Sequence, residues 1–457
     1  MQKQNQLPPA TAAVQVYLRI RPLISEEDGH NLITYKVDDN NGTFHLKLPD
    51  RGSQPAPNSA FANAPRFRHR EPKFKACGGF TEILQEDCNN DLAYRTTVQP
   101  LVNPIVSRNE SACVFTYGHT GSGKSHTLLG YGDELGMYKF AAADILEKIQ
   151  AQDPAKCLLV KVTELYKNDQ VLDLLTRQPC SIRQDVNGRV RIRGPMVTDN
   201  KGRIEQQPLG KVCRTAQQVT ECVEAACESR RVGTSTHHDQ SSRSHLVLSL
   251  EVVTPALMEK RHLLLKQDAQ LTRLKWLQTE RTFNKHKERQ MPQWTKEYSS
   301  TIISRNIRQY ETLVKSSKRE LHRMFTDLGG TLVFCDLAGN EYARDSADST
   351  KEEREEAIEI NKSLFAVKKM IRSLGRKQQQ GQRGENGAES RPHHITYRDS
   401  KLAMCLKRHL ETRAVMLAHV SPSEESLKKT MNTLDYSSMV VGNGVAASRR
   451  GKENDKQ

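Results

Sequence analysis

Two periods of apolar spacing run along the chain. Residues 14–22 alternate apolar with polar positions and end in Arg19-Ile20-Arg21-Pro22, which predicts a strand. Residues 112–115, 158–166, 246–250, 332–335 and 414–420 are apolar runs of strand length. The first of these reads as a buried parallel strand. Residues 90–102, 141–149 and 215–231 repeat their apolar side chains at helical spacing. Residues 181–197 read as a hairpin turning at Asn187-Gly188, a strong turn signal. Residues 38–75 are rich in Asn, Pro, Gly and basic side chains and predict weak strands with a long loop. Residues 375–392, rich in Gln, Gly and Arg, predict a disordered loop.

Residues 256–328 depart from this pattern. Leu263, Leu264, Leu271, Leu274 and Leu277 predict one helix, and Ile303, Ile307, Tyr310 and Val314 predict a second. Pro292 lies between them and would break a continuous helix. The segment holds 16 Lys and Arg against 8 Asp and Glu, a net +8 out of +15 for the whole chain. A basic helical hairpin standing out from the core is expected, either a contact for an acidic partner or a solvated face.

The densest chemistry follows the buried strand. Gly118-His119-Thr120-Gly121-Ser122-Gly123-Lys124-Ser125 fits G-x-x-x-x-G-K-[ST], the phosphate-binding loop. Its glycines let the backbone curl so that N–H groups face phosphate oxygens. Lys124 brings a positive charge to the β- and γ-phosphates, and Ser125 offers a hydroxyl to Mg²⁺. The helix that follows turns its positive end towards the anion. Further on, residues 332–335 run into Asp336-Leu337-Ala338-Gly339-Asn340-Glu341. An Asp at the end of an apolar strand is where a Mg²⁺-holding carboxylate is expected. Gly339 can move its backbone in answer to a γ-phosphate.

Charge narrows the partner. With 69 Lys and Arg against 54 Asp and Glu, a polyanion is expected: nucleic acid, an acidic membrane or an acidic protein lattice. Aromatic residues are only 5%, which gives no obvious base-stacking platform. The ten cysteines are scattered without metal or disulfide spacing, as in reduced cytosolic proteins. The amino-terminal residues are polar, unlike a signal peptide, and no apolar run has the length of a membrane span.

Ser241-Ser242-Arg243-Ser244-His245, together with residues 118–125 and 336–341, closely resembles the motifs of the kinesin motor domain, in family order. The resemblance spans roughly residues 14–440, apart from the insertion at 256–328. It implies an α/β P-loop NTPase fold with a central, mostly parallel eight-stranded sheet flanked by helices. Residues 1–13 and 441–457 are expected to be disordered. The implied activity is ATP hydrolysis stimulated by microtubules, with ATP and Mg²⁺ bound and the protein on the cytoplasmic cytoskeleton, including the spindle. By resemblance, Arg21, Pro22 and His126 border the adenine, and Ser242 and Asp336 complete the Mg²⁺ surroundings. Arg243 and Glu341 form an ion pair when the two switch loops close, and the Ser244/Glu341 region orients the attacking water. Residues 359–374, containing Ile360-Asn361-Lys362-Ser363-Leu364, match the helix that lies against tubulin. Lys362, Lys368, Lys369, Arg372, Arg398 and Lys401 are the implied contacts, with Arg189, Arg191 and Arg193 on a nearby loop.

Three departures stand out. His238 replaces the Asn that kinesins carry before the Ser pair, and Thr396 replaces a Pro. The stretch from Asp336 to Asn340 looks like the microtubule-depolymerising class, but Lys368-Lys369-Met370 stands where that class has Lys-Glu-Cys, and Lys36-Val37-Asp38 precedes the loop that should carry such a triplet. His238 favours an alternative reading, a kinesin-fold microtubule-binding protein with slow or no ATP turnover. A nucleic-acid-dependent P-loop ATPase would explain the charge but not the switch motifs. Lys452-Glu453-Asn454 resembles a degradation signal read by a ubiquitin ligase.

Overall fold

Strand Ser111–Tyr117 is buried at every position, because it lies between two parallel neighbours in the middle of a sheet. Thr331–Asp336 flanks it on one side and Arg413–Val420 on the other. Val14–Ile20 and then Glu82–Leu84 continue the parallel half. The computed structural model describes residues 14–24, 27, 31–48, 73–166, 170–184, 190–198, 204–232, 243–283, 300–324, 330–340, 351–382 and 397–449.

Beyond Thr331–Asp336 the sheet becomes antiparallel, through His245–Val253, Cys157–Tyr166, Gln170–Asp173, Gln178–Gln184 and Val190–Arg193. Lys211–Cys213 also pairs with Cys157–Tyr166. Among the described residues the sheet thus has eleven strands, where eight were expected. The added width comes from the antiparallel meander after Tyr166, whose strands need no crossover helix, and from the short strands Glu82–Leu84 and Lys211–Cys213. Both faces are covered. Ala112 and Val114 enter one core, beneath helices Asn90–Thr97, Gln99–Arg108, Met137–Gln152 and Ala216–Val232. Cys113 and Phe115 enter the other, beneath Lys351–Gln382, Lys401–Leu410 and Leu427–Arg449. Burial on both faces is why these strands read as unbroken apolar runs.

Several elements differ from the sequence expectation. Residues 90–102 form not one helix but parts of two, because Pro100 sits in the first turn of the second, where its missing N–H costs nothing. The helix from Lys351 reaches Gln382, past the expected loop start at 375. Arg, Lys and Gln at 376–380 are good helix formers, and composition alone hides that. The last helix reaches Arg449, so 441–449 is not a disordered tail; Val441 is buried in the core beside it. Lys36 to Asp38 lies within strand Tyr35–Asp38, paired with Thr43–Lys47. Residues 1–13, 187–188, 238, 292 and 452–454 lie outside the described residues.

The insertion forms two helices, Pro255–Phe283 and Ser300–Met324. Leu274, Leu277, Ile303 and Ile307 make a small core between them. Gln267 and Ser317 share a buried hydrogen bond, and Lys260–Glu320 and Lys275–Glu311 bridge the pair. Leu263, expected on the apolar face, is 43% exposed. At the root, Leu257 and Leu321 pack on Cys157, Leu159 and Val253. Cys157 pairs with Val253, at the end of the sheet away from Asp336 and the phosphate loop.

Candidate functional site

The phosphate loop leaves the carboxyl end of Ser111–Tyr117 and enters helix Lys124–Leu129. Gly123, with φ of +94°, takes the left-handed turn that starts this helix. A Cβ on Gly118 would come within 2.5 Å of the His419 carbonyl oxygen and 2.6 Å of Ser122 Oγ, so only glycine fits. Ser122 Oγ donates to the His119 carbonyl at 2.7 Å. Lys124 is buried and its Nζ donates to the carbonyls of Gly118 (3.0 Å) and His119 (2.8 Å). The ammonium is thus held across the mouth of the loop by oxygens that a phosphate can replace.

Ser125 Oγ donates to Asp336 Oδ2 at 2.5 Å, and Thr116 Oγ1 donates to Asp336 Oδ1 at 3.1 Å. Residues 211 apart in sequence are therefore joined. The hydroxyl and carboxylate are hard oxygen donors suited to Mg²⁺, which binds through one or two protein oxygens and takes phosphates and water for the rest. Among the described residues no group of three His, Cys, Asp or Glu forms a self-contained metal cage. The donors fit Mg²⁺ carried in with a nucleotide.

Arg21 lies against the loop, its Nε donating to the Gly121 carbonyl at 2.8 Å, and it pairs with Glu27. Pro22 beside it is exposed. His126, in the first turn of the helix, sits 3.2 Å from Glu134 Oε2. Burial lowers its pKa, with Glu134 opposing. Thr120 and Gly121 are exposed at the loop's tip. Behind the loop lies a network that sequence reasoning missed. Arg19 is 4% exposed, and its guanidinium donates to Asn90 Oδ1 (2.5 Å), Thr127 Oγ1 (2.8 Å) and the Cys88 carbonyl (2.8 Å). Thr127 Oγ1 also meets His419 Nε2 at 2.8 Å. A charged residue within a strand buried on both faces was the available signal.

The switch residues are brought to the site in different ways. Ser242 and Glu341 lie outside the described residues. Gly339 follows Ala338 at the end of the sheet, and the Asn340 N–H donates to the Gly118 carbonyl at 3.3 Å. Ser244, expected to orient water, is instead buried: its Oγ donates to Glu164 Oε1 at 2.6 Å and accepts from Arg230 at 2.7 Å. Arg230 and Glu164 are themselves a buried ion pair at 3.3 Å. Desolvation of such a pair demands further hydrogen bonds, and the Ser244 hydroxyl supplies them. Arg243 pairs with Glu356 at 3.4 Å, and Glu356 also accepts from the Tyr166 hydroxyl at 3.2 Å.

The expected partner-binding cations divide by helix face. Lys362 and Lys369 are exposed, the latter paired with Asp399 at 2.9 Å. Lys368 is half-buried over the Tyr436 ring at 5.1 Å, and Arg372 is half-buried against Met439. These two follow Val367 and Ile371 toward the core, so they cover the helix packing and do not project from it. Arg398 is exposed and donates to Gln184 Oε1 at 2.9 Å; Lys401 is half-buried. Arg193 is exposed on its strand. Ile358 and Phe365, each 60% exposed, share the outer face with Lys362.

A family model described as the kinesin motor domain matches residues 19–275 and 279–441. Human "Kinesin-like protein KIF24" is 26% identical over 366 residues, covering 79% of this chain and 20% of that protein. Rice "Kinesin-like protein KIN-13A" is 28% identical over 367 residues, 79% of this chain and 34% of its own length. Chicken "Kinesin-like protein KIF18B" is 26% identical over 446 residues, 94% and 43%. The chain therefore spans less than half the length of these relatives. A solved KIF14 dimer with AMP-PNP, in complex with a microtubule, superposes with a TM-score of 0.58 at 19% identity, covering 94% of each chain. A mutant kinesin motor ATPase superposes at 0.55 with 20% identity. Among the described residues, no helix is long and apolar enough to cross a membrane.

Proposed function

The chain belongs to the kinesin motor domain family, and on that premise we propose that it is an ATP hydrolase coupled to microtubules. The observation that carries this reading is the junction of Ser125 with Asp336 beside the Lys124 ammonium. It places a cation, a hydroxyl and a carboxylate at one loop, the set that phosphoryl transfer needs for positioning and charge stabilisation. Lys124 would hold the β- and γ-phosphates, and the loop's N–H groups would line their oxygens. Ser125 and Asp336, with Ser242, would hold Mg²⁺. The ion would neutralise charge developing between the phosphates. Arg21, Pro22 and His126 flank the loop where a base would lie. Lys362, Lys369, Arg398 and Lys401, with Ile358 and Phe365, would meet an acidic tubulin surface, and the protein would then act on cytoplasmic microtubules.

The test is turnover of ATP alone, with tubulin polymer and with DNA. Stimulation by polymer supports the reading. Polymer binding without turnover favours the alternative of a slow or inactive microtubule-binding protein, which His238 in the first switch motif favours. Stimulation by DNA alone overturns both.

The helical hairpin offers a separate prediction. Its root packs on the sheet at Cys157, Leu159 and Val253, so the informative change replaces only residues 269–315 with a short Gly/Asn turn, removing 10 Lys and Arg against 4 Asp and Glu. Basal turnover should be unchanged, because the removed part stands at the end of the sheet away from the phosphate loop. Polymer affinity should fall and its salt dependence flatten, since attraction between exposed charges is screened over about 8 Å at physiological salt. Unchanged affinity and salt slope, measured by co-sedimentation, would show that the hairpin serves no polymer contact.

A further inference from the structure

Cys213 and Cys222 are free thiols buried in the same core. Cys213 ends strand Lys211–Cys213, and Cys222 lies two turns into helix Ala216–Val232. The Cys213 thiol donates to the Gln218 carbonyl at 3.5 Å. In an α-helix that same carbonyl accepts the N–H four residues on, which is that of Cys222. The two sulfurs therefore meet over one helical turn, and Cys222 donates to Cys213 when Cys213 is ionised. This hydrogen bond lowers the Cys213 pKa against the effect of burial, with help from the Lys211 ammonium. The same bond, then burial, raises the pKa of Cys222. Burial pushes up the thiols of Cys77, Cys88, Cys113, Cys157, Cys180 and Cys335. Cys213 thus has more thiolate character than any of these, and its neighbour keeps a proton to give.

The strand that carries Cys213 is three residues long and, among the described residues, pairs with Cys157–Tyr166 alone. Its neighbours Val212 and Arg214 are exposed. Short segments of this kind open locally without global unfolding, and such an opening brings Cys213 to solvent. Cys157 is not a rival partner. Cys213 pairs with Leu158, and Cys157 enters the core at the hairpin root, on the other face of the sheet. We propose that Cys213 and Cys222 are a redox-active pair, oxidised by hydrogen peroxide to a disulfide that ties strand Lys211–Cys213 to helix Ala216–Val232. The Cys213 thiolate attacks one peroxide oxygen, and the O–O bond breaks. The leaving hydroxide takes up the proton that Cys213 released, which gives water and a Cys213 sulfenic acid. Cys222 then attacks the Cys213 sulfur. The S–S bond forms, the S–O bond breaks, and the departing hydroxide leaves as water with the Cys222 proton. Two thiols have lost two electrons, and one peroxide has become two waters.

The experiment treats the reduced full chain with hydrogen peroxide at neutral pH, with glutathione oxidised in parallel as a control. Trypsin digestion without reductant then separates residues 212–214 from residues 215–230, so a disulfide joins two peptides that are otherwise apart. The joined pair should appear, with Cys222 and not Cys227 located as the partner by fragmentation, and dithiothreitol should release it. Cys213 should react about tenfold faster than the six thiols that burial pushes up. In Cys222→Ala the sulfenic acid has no second thiol to meet, so dimedone should label Cys213; in Cys213→Ala it should leave Cys222 unlabelled. Hydrogen exchange at Val212 and Cys213 should slow by about tenfold or more on oxidation, because the strand can no longer open away from the helix. Cys213 and Cys222 both still open to alkylation, under peroxide that has oxidised the glutathione, would overturn the proposal. So would a bridge to Cys227, or dimedone on Cys222 in place of Cys213. Exchange at the strand unchanged by a formed disulfide would overturn the tie. The first measurement needs no variant, so a substitution that fails to fold does not hide the answer.

Discussion

Lys124→Ala should abolish ATP turnover, by about 10²- to 10³-fold or more, as loss of a preorganised charge at a reacting phosphate does. In the structure the Lys124 Nζ is buried and donates to the carbonyls of Gly118 and His119. Those oxygens keep a desolvated ammonium in place before a nucleotide arrives, so little reorganisation is needed when phosphate oxygens replace them. Alanine removes the charge and also leaves both carbonyls without that donor. The measurement is steady-state phosphate release, with circular dichroism to confirm the fold. A folded variant with turnover near the unaltered rate would show that the loop is not the catalytic site. Arg21, held to the Gly121 carbonyl and to Glu27, should keep the outer wall of the loop in shape, so loss of activity with the fold retained is the expected combination.

The phosphate loop and Asp336 were legible in the sequence because their chemistry fixes both residue type and spacing. A glycine that must avoid the His419 carbonyl and a lysine five residues from His119 leave few alternatives. The insertion was legible for a different reason: Leu271, Leu274 and Leu277 share one face by period alone, and they do meet Ile303 and Ile307. Long-range pairing was not legible. Ser244 sits within a switch motif, and nothing local tells that Glu164 and Arg230, 80 and 14 residues away, take up its hydroxyl. His245 read as the end of a motif, yet its partners are Ala338 and Ser363. Lys368 and Arg372 were assigned to a partner because their helix resembles one that lies against tubulin, while in the structure their side chains meet Tyr436 and Met439. In each case the period of an element gives its face, but the partner comes from tertiary packing, which joins Ser244 to Glu164 across 80 residues and Arg372 to Met439 across 67.

Arg243 provides the second large effect. Here it pairs with Glu356 on helix Lys351–Gln382, at 3.4 Å. The resemblance of residues 336–341 to the second kinesin switch motif instead implies Glu341 as its partner when the switch loops close on ATP. The two carboxylates can be separated by experiment, because each predicts a different mutant. If Arg243 changes partner for hydrolysis, Glu341→Ala should bind ATP with nearly unaltered affinity, since the phosphate loop is intact. Its single-turnover hydrolysis should fall by about 10²- to 10³-fold, the cost of losing one preorganised polar group at the reacting centre. Glu356→Ala should then hydrolyse at close to the unaltered rate. It removes the partner seen here, together with the acceptor of the Tyr166 hydroxyl, and leaves Arg243 available to Glu341. If the pair seen here is the one that acts, the results exchange: Glu356→Ala loses hydrolysis and Glu341→Ala keeps it. Loss of ATP affinity and hydrolysis together in Glu341→Ala would mean that the loop itself has been disturbed, and the assignment of a closing ion pair would fail.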